Sequence, residues 1–255
     1  MGETVYSFSR VNAYCTCPMM YKLTYIDKLP KLDNAFSQWG TLCHSLFERY
    51  CNGELELYEL TDMYKSEYKQ AVTQDFPESD FTDMNEYYYR KGIEVFDHYA
   101  GVDKGLDVVA TEQKVLTEIA GKKFVGYIDL ILRDKSDGKL IIQDYKSKSK
   151  FKSAKERNHY ALQPFLYSHY IKEQYDEYPK LLRFDMFRVG DVVDIPFTEK
   201  GLQNADKWFT DTIETIEKDT EFSAALDSEK DFFCKSICSM RAWCTAGKSK
   251  DCNAD

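Results

Sequence analysis

Two apolar runs near the middle of the chain constrain it most. Gly126–Leu132 (GYIDLIL) and Leu140–Lys148 (LIIQDYKSK) each carry one aspartate where a buried strand asks for a hydrophobic residue. In the first run, Asp129 stands among Ile128, Leu130, Ile131 and Leu132; in the second, Asp144 follows Leu140, Ile141 and Ile142, with Lys146 two residues on. Residues two apart on a strand share a face, so Asp144 and Lys146 project together, and hairpin pairing would bring Asp129 to them. Two neighbouring carboxylates repel unless a cation sits between them. Mg²⁺ suits such a pair, because it takes one or two carboxylates, keeps water and accepts phosphate oxygens. The same acid-x-lysine spacing occurs at Glu67/Lys69, Glu112/Lys114 and Asp137/Lys139. Only Asp144/Lys146 ends an apolar strand that follows another strand bearing an acid.

The flanking sequence predicts an α/β fold: a mixed central sheet flanked by helices. Strands are expected at Leu106–Ile119, Lys122–Leu132 and Lys139–Tyr145, with turns at Gly121 and Ser136-Asp137-Gly138. A further hairpin, Leu181–Val189 with Val192–Phe197, should turn at Gly190-Asp191. Helices are expected from Ser7 or Ser9 to Tyr25, over Phe36–Cys51, over Ala154–Gln174 and over Lys200–Lys218. Pro164 should interrupt the third of these, with a new helix starting at Gln163 or Pro164. Residues 53–104, Tyr-rich, acidic and broken near Pro77, read as a helical insertion in a single domain covering 1–255.

At 255 residues the chain can bury a core without disulfides. Its net charge of −9 argues against coating nucleic acid non-specifically, yet Lys146–Arg157 (KSKSKFKSAKER) is a local basic run. No apolar stretch is long enough to span a membrane, and MGETVYSFSR lacks the pattern of a signal peptide. A cytoplasmic protein is expected. In a reducing compartment, eight cysteines favour metal or cluster ligation over disulfides.

Two shorter motifs complete the set. GTLCHSLFE places Gly40 and His44 four apart on a helix, where a neutral imidazole is available as a metal ligand. QPFLY places Gln163 and Tyr167 four apart, offering an amide and a phenol to a phosphate or a bound water. In the order GTLCH, GYIDLI, IIQDYKS, QPFLY, the chain resembles the RecB-like branch of the PD-(D/E)XK nucleases. That branch includes nuclease domains of helicase–nucleases, CRISPR-adaptation nucleases and phage exonucleases. The resemblance implies a Mg²⁺- or Mn²⁺-dependent deoxyribonuclease, a single-strand-directed exonuclease by preference, acting on DNA with free ends. It implies that His44, Asp129, Asp144 and the Tyr145 backbone carbonyl bind the metal. It also makes Lys146 catalytic, with Gln163 and Tyr167 supporting the site. The alternatives are a non-catalytic DNA-binding module on the same fold and a zinc-stapled interaction module.

A subset of that branch carries an iron–sulfur cluster held by a Cys-Pro cysteine near the N-terminus and three cysteines near the C-terminus. Here Cys17-Pro18, Cys234, Cys238 and Cys244 resemble that arrangement, which implies a [4Fe–4S] cluster fastening residues 1–30 to 231–255. Four thiolates would equally hold Zn²⁺. Three residues separate Cys234 from Cys238 where the family commonly has two, and Cys15 and Cys252 compete as first and last ligands. Cys43 and Cys51 are expected to be ordinary buried cysteines.

Overall fold

The computed structural model describes residues 4–225 and 231–244. One mixed sheet, ordered β1-β2-β3-β4-β5, runs through the molecule. Its strands are β1 (Leu106–Ile119), β2 (Lys122–Asp134), β3 (Leu140–Tyr145), β4 (Leu181–Met186) and β5 (Asp191–Pro196). Neighbours pair antiparallel except β3 with β4, which run parallel because helix α6 (Ala154–Tyr175) connects them. The long β1–β2 hairpin turns at Ala120-Gly121, both with positive φ, as a tight hairpin turn requires. The second hairpin turns at Phe187–Gly190: β4 ends three residues before the expected Val189, and β5 starts one residue before the expected Val192, with Asp191 paired to Met186.

The apolar pattern of β3 explains the layering. Leu140 and Ile142 enter one core with α6 and α7 (Glu199–Lys218), while Ile141 and Tyr145 enter a second core with α3 (Ala35–Cys51), α4 (Leu60–Ala71) and α5 (Met84–His98). All six β3 residues are buried. Residues 53–104 form a short 3₁₀ turn at Leu57–Glu59, then α4 and α5, with a break that includes Pro77. No helix among the described residues is long and apolar enough to cross a membrane.

Two helices differ from expectation. The N-terminal helix is divided into α1 (Phe8–Thr16), α2 (Pro18–Tyr21) and a wide turn at Lys22–Ile26. Cys17 between them is extended at φ −163°, because the residue before a proline is driven out of the helical region. Conversely, α6 runs unbroken through Pro164. A mid-helix proline costs about 3 kcal/mol. Burial of Ala161, Pro164–Ser168 and Ile171 against the sheet and α7 outweighs that cost, and the Ser168 hydroxyl donates to the Pro164 carbonyl at 3.0 Å.

The two ends of the described chain meet. Leu32 N–H donates to the Ser239 carbonyl at 2.9 Å, Arg241 to the Asp33 carbonyl at 2.6 Å, and Trp243 to the Pro30 carbonyl at 2.8 Å.

Candidate active site

The middles of β1 and β2, the end of β3 and one turn of α3 converge on five ionisable side chains. Asp129 Oδ2 accepts the Tyr145 N–H at 2.8 Å, which ties β2 to the last residue of β3. His44 Nδ1 lies 3.5 Å from the same oxygen. Asp144 and Lys146 form an ion pair, as their shared strand face predicts. The Tyr145 backbone carbonyl also faces this group and accepts a hydrogen bond from the His44 imidazole.

The third acid is Glu112, which the sequence offers only as one of several stray acid-x-lysine pairs. Pairing of Thr111 with Leu130 and Gln113 with Ile128 sets Glu112 across from Asp129. His44, Glu112 and Asp129 each present a ligand atom within 4.8 Å of the others. Glu112 is also left-handed, at φ 41°, which is strained for a residue with a side chain. Strain of this kind, about 1–3 kcal/mol, clusters at functional sites. Nothing short of the strand register reveals Glu112; an acid inside a β-strand was the available signal.

Burial and like charge dominate the electrostatics. Burial, and then the neighbouring Asp144, push the Asp129 carboxyl well above the usual carboxylate range. Glu112 is raised by burial and by Glu48 and Asp144. Burial pulls His44 down to about 4, so its imidazole is neutral at physiological pH. Burial also works against the Lys146 ammonium, but Asp144 and Asp129 outweigh it and hold Lys146 above its ordinary value. Asp144 Oδ2 is buried without a directed hydrogen bond, its partner being the Lys146 ammonium alone. Crowded carboxylates, among them a buried Asp144 oxygen met only by Lys146, and a neutral imidazole fit a hard divalent cation with mostly oxygen ligands.

The supporting residues are placed unevenly. The Lys146 ammonium lies 5.5 Å from the centre of the Tyr160 ring and 5.8 Å from that of Phe184, an aromatic cradle absent from the motif pattern. Gln163 Nε2 donates to the Tyr167 hydroxyl at 2.8 Å; burial chiefly, and then Asp144 and Asp129, raise the Tyr167 phenol. Tyr167 sits against Gly126, where an added Cβ would come within 2.4 Å of its ring. The glycine of GYIDLI is therefore a steric requirement. Gly40 is not: a Cβ there would meet Ser147 Oγ at 3.8 Å, an ordinary contact. His159 lies apart and bonds Asn12 at 2.7 Å. The basic run is only partly a solvated loop, since Lys146 is half-buried and Lys148 bonds Glu156 at 2.5 Å while covering the Tyr160 ring at 4.4 Å.

Cys17, Cys234, Cys238 and Cys244 line a second, separate cavity. Cys238 is close enough to the other three to feel each of them, and its thiol is raised chiefly by burial. Cys17 Sγ accepts the Ala225 N–H at 3.4 Å. Cys15 is exposed and contacts Thr212 instead. Cys43 is fully buried on α3, and Cys51 touches the Tyr145 hydroxyl. Cys252 lies outside the described residues.

No curated protein matches the chain. Among solved structures, a candidate exonuclease from Eubacterium rectale shares the fold, with a TM-score of 0.53, 11% identity, and coverage of 98% of this chain and 88% of that one. SSO0001 aligns over 97% of this chain and 88% of its own at 14% identity, with a TM-score of only 0.40. A family model described as the PD-(D/E)XK nuclease superfamily matches residues 5–245, a span that takes in the converging acids, the lysine and the four clustered cysteines. The chain belongs to the PD-(D/E)XK nuclease superfamily.

Proposed function

We propose that the chain is a Mg²⁺- or Mn²⁺-dependent deoxyribonuclease that degrades DNA from free ends, preferring single strands. The observation that carries this reading is the convergence of Glu112, Asp129, Asp144 and His44 beside a half-buried lysine. These four side chains would hold the metal, with Glu112 added to the ligands that the motifs imply and the Tyr145 carbonyl facing the same space. Bound there, a divalent ion would supply Lewis-acid polarisation of the phosphoryl group and activation of a water. Lys146, kept charged by its acid neighbours, neutralises charge developing on the scissile phosphate. Tyr160 and Phe184 hold that ammonium in place. Gln163 and Tyr167, already bonded to each other, orient the water or the phosphate next to Asp129 and Asp144. The loop from Lys146 to Ser153 supplies positive charge for the incoming backbone in an otherwise acidic protein.

The exonuclease mode and the single-strand preference rest on the order of the motifs. So does a [4Fe–4S] cluster on Cys17, Cys234, Cys238 and Cys244, which the shared cavity supports. On this reading, residues 53–104 are an insertion on the α3 side of the sheet, and residues 1–30 with 231–255 form the cluster-binding subdomain.

The test is anaerobic purification followed by a visible spectrum, iron and zinc analysis, and cleavage assays with Mg²⁺ or Mn²⁺. The substrates are end-labelled single- and double-stranded linear DNA and a single-stranded circle. Linear single strands should be digested and circles spared. Cleavage of circles would overturn the exonuclease mode. Undiminished cleavage in excess chelator, or by a folded Asp144→Ala protein, would overturn the metal site.

A further inference from the structure

The β1–β2 hairpin runs past the acid site and out from under the helices on one face. Val115, Ile119, Phe124 and Ile128 point into the core with α6 and α7, and Gly126 faces Tyr167 on α6. Strand alternation therefore turns Lys114, Leu116, Val125 and Tyr127 to the opposite face, the one that carries Asp129. Helix α3 covers that face only as far as Glu112 and Asp129. There His44 meets Asp129, and Asn52, just past the last turn of α3, accepts from Thr111 at 2.6 Å. On the rungs beyond, Lys114 pairs with Tyr127 and Leu116 with Val125. Tyr127 is 52% exposed and Leu116 59%. Among the described residues the Lys114 ammonium meets no carboxylate within 4 Å, and the Tyr127 ring contacts no other ring.

We propose that this hairpin face is the track along which a single DNA strand reaches the acid site, with one base stacked on the Tyr127 ring and a nearby phosphate on Lys114. The inference rests on the deoxyribonuclease reading and gives its single-strand preference a physical source. Tyr127 stands two residues from Asp129 on the same strand face, about 7 Å along it, so the track is continuous with the metal ligands. Base–aromatic stacking is indifferent to sequence, because every base has a flat face, and it needs a base whose face is free. A duplex keeps those faces covered. A tyrosine fixed on a hydrogen-bonded ladder loses little freedom when it is used this way. Lys114 adds positive charge for the backbone in a protein of net charge −9. Leu116 and Val125 carry the apolar surface one rung further. A second copy of the chain is a poor occupant, since the patch is a few side chains wide and bordered by the exposed Lys114, Glu118 and Lys123.

The experiment is fluorescence anisotropy with a labelled mixed-sequence oligonucleotide and its duplex in Ca²⁺, alongside cleavage of the same DNA in Mg²⁺ and Mn²⁺. Tyr127→Ala should weaken single-strand binding roughly fivefold to a hundredfold, while Tyr127→Phe stays near wild type and duplex binding changes little. Lys114→Ala should weaken binding and lower its salt dependence by about one phosphate. Tyr58→Ala, an exposed tyrosine on the helical insertion, should bind as wild type does. An abasic nucleotide moved stepwise along the strand should weaken wild-type binding at one position and leave Tyr127→Ala indifferent there. Single-strand binding by Tyr127→Ala equal to wild type overturns the proposal, as does an equal loss on duplex or no binding of single strands by wild type. Self-association of wild type that Tyr127→Ala abolishes would assign the face to a second copy and overturn it too. Binding that depends on Tyr127 without cleavage in either metal would sink the nuclease reading and leave the track standing. Cleavage without any dependence on Tyr127 would do the reverse.

Discussion

The acid site and the cysteine cavity gather their ligands in opposite ways. Glu112, Asp129 and Asp144 sit on three adjacent strands, and ladder hydrogen bonds fix their spacing whether or not a cation is present. The cysteines come from opposite ends of the chain, on α2's extended cap and a short C-terminal turn, joined by the Leu32–Ser239 backbone bond and side-chain bonds from Asn34, Arg241 and Trp243. The sheet therefore builds a metal site and bears its charge repulsion as a standing cost. At the cysteine cavity only a small apolar cluster of Leu23, Cys238 and Met240 holds the chain ends together, so a metal or cluster bound there would add its binding energy to folding.

The largest expected effect sharpens this contrast. Asp144→Ala should lower cleavage by roughly three orders of magnitude or more, since metal stabilisation is worth several kcal/mol. Lys146→Ala should cost roughly a hundredfold to a thousandfold. Both proteins should match wild type in visible spectrum and circular dichroism, and stay impaired with Mg²⁺ and with Mn²⁺. Loss of fold in Asp144→Ala would mean that the acids are structural and the comparison is wrong.

Next in size is the reverse experiment. Serine at Cys17, Cys234, Cys238 or Cys244 should bleach the anaerobic protein, lower its solubility and reduce activity indirectly. Cys43→Ser and Cys51→Ser should stay coloured. If Cys15→Ser bleached the protein and Cys17→Ser did not, the ligand assignment would fail; stoichiometric zinc without iron would replace the cluster.

A smaller effect concerns the cost of crowding. Asp129 carries a carboxyl raised far above its ordinary value of 3.8 by burial and Asp144. In metal-free protein, that group stabilises the fold below about pH 4 and loses its contribution as pH climbs through the raised value. Asn mimics the protonated acid and can still accept the Tyr145 N–H. Metal-free Asp129→Asn should therefore melt about 2–4 °C above wild type at pH 8, corresponding to about 1 kcal/mol, and show no advantage at pH 4. A gain that persisted unchanged at pH 4 would point away from charge.

The smallest effect tests the aromatic cradle. Tyr160→Phe should retain cleavage near wild type, whereas Tyr160→Leu should lower it by roughly fivefold, the worth of one cation–π contact of about 1 kcal/mol. Equal rates for the two would remove Tyr160 from the site.

Much of this architecture was legible because strand periodicity is a local signal. The first three strands fall within a few residues of their expected bounds, and Asp129, Asp144, Lys146 and His44 meet as their motifs imply. Glu112 was hidden because its role depends on which residue lies across the ladder and on a left-handed backbone in mid-strand, neither of which is written in composition. Pro164 misled for the opposite reason: local propensity predicts a break, and tertiary burial of the surrounding turns overrides it. The open face of the β1–β2 hairpin was equally invisible, because it exists only where one layer fails to cover another.

The intact helix around Pro164 carries a consequence for exchange with solvent. A proline has no amide hydrogen, so the Tyr160 carbonyl lacks its usual partner four residues on and the helical ladder has one rung missing. The turns before that gap, beginning at the Ser153 cap, are less protected than the buried turns after it. Amides of the first half of α6 should take up deuterium sooner than those from Leu166 onward, so that two stretches of one helix open as distinct units. Gln163 stands on one side of that boundary and Tyr167 on the other, joined across it by a single hydrogen bond.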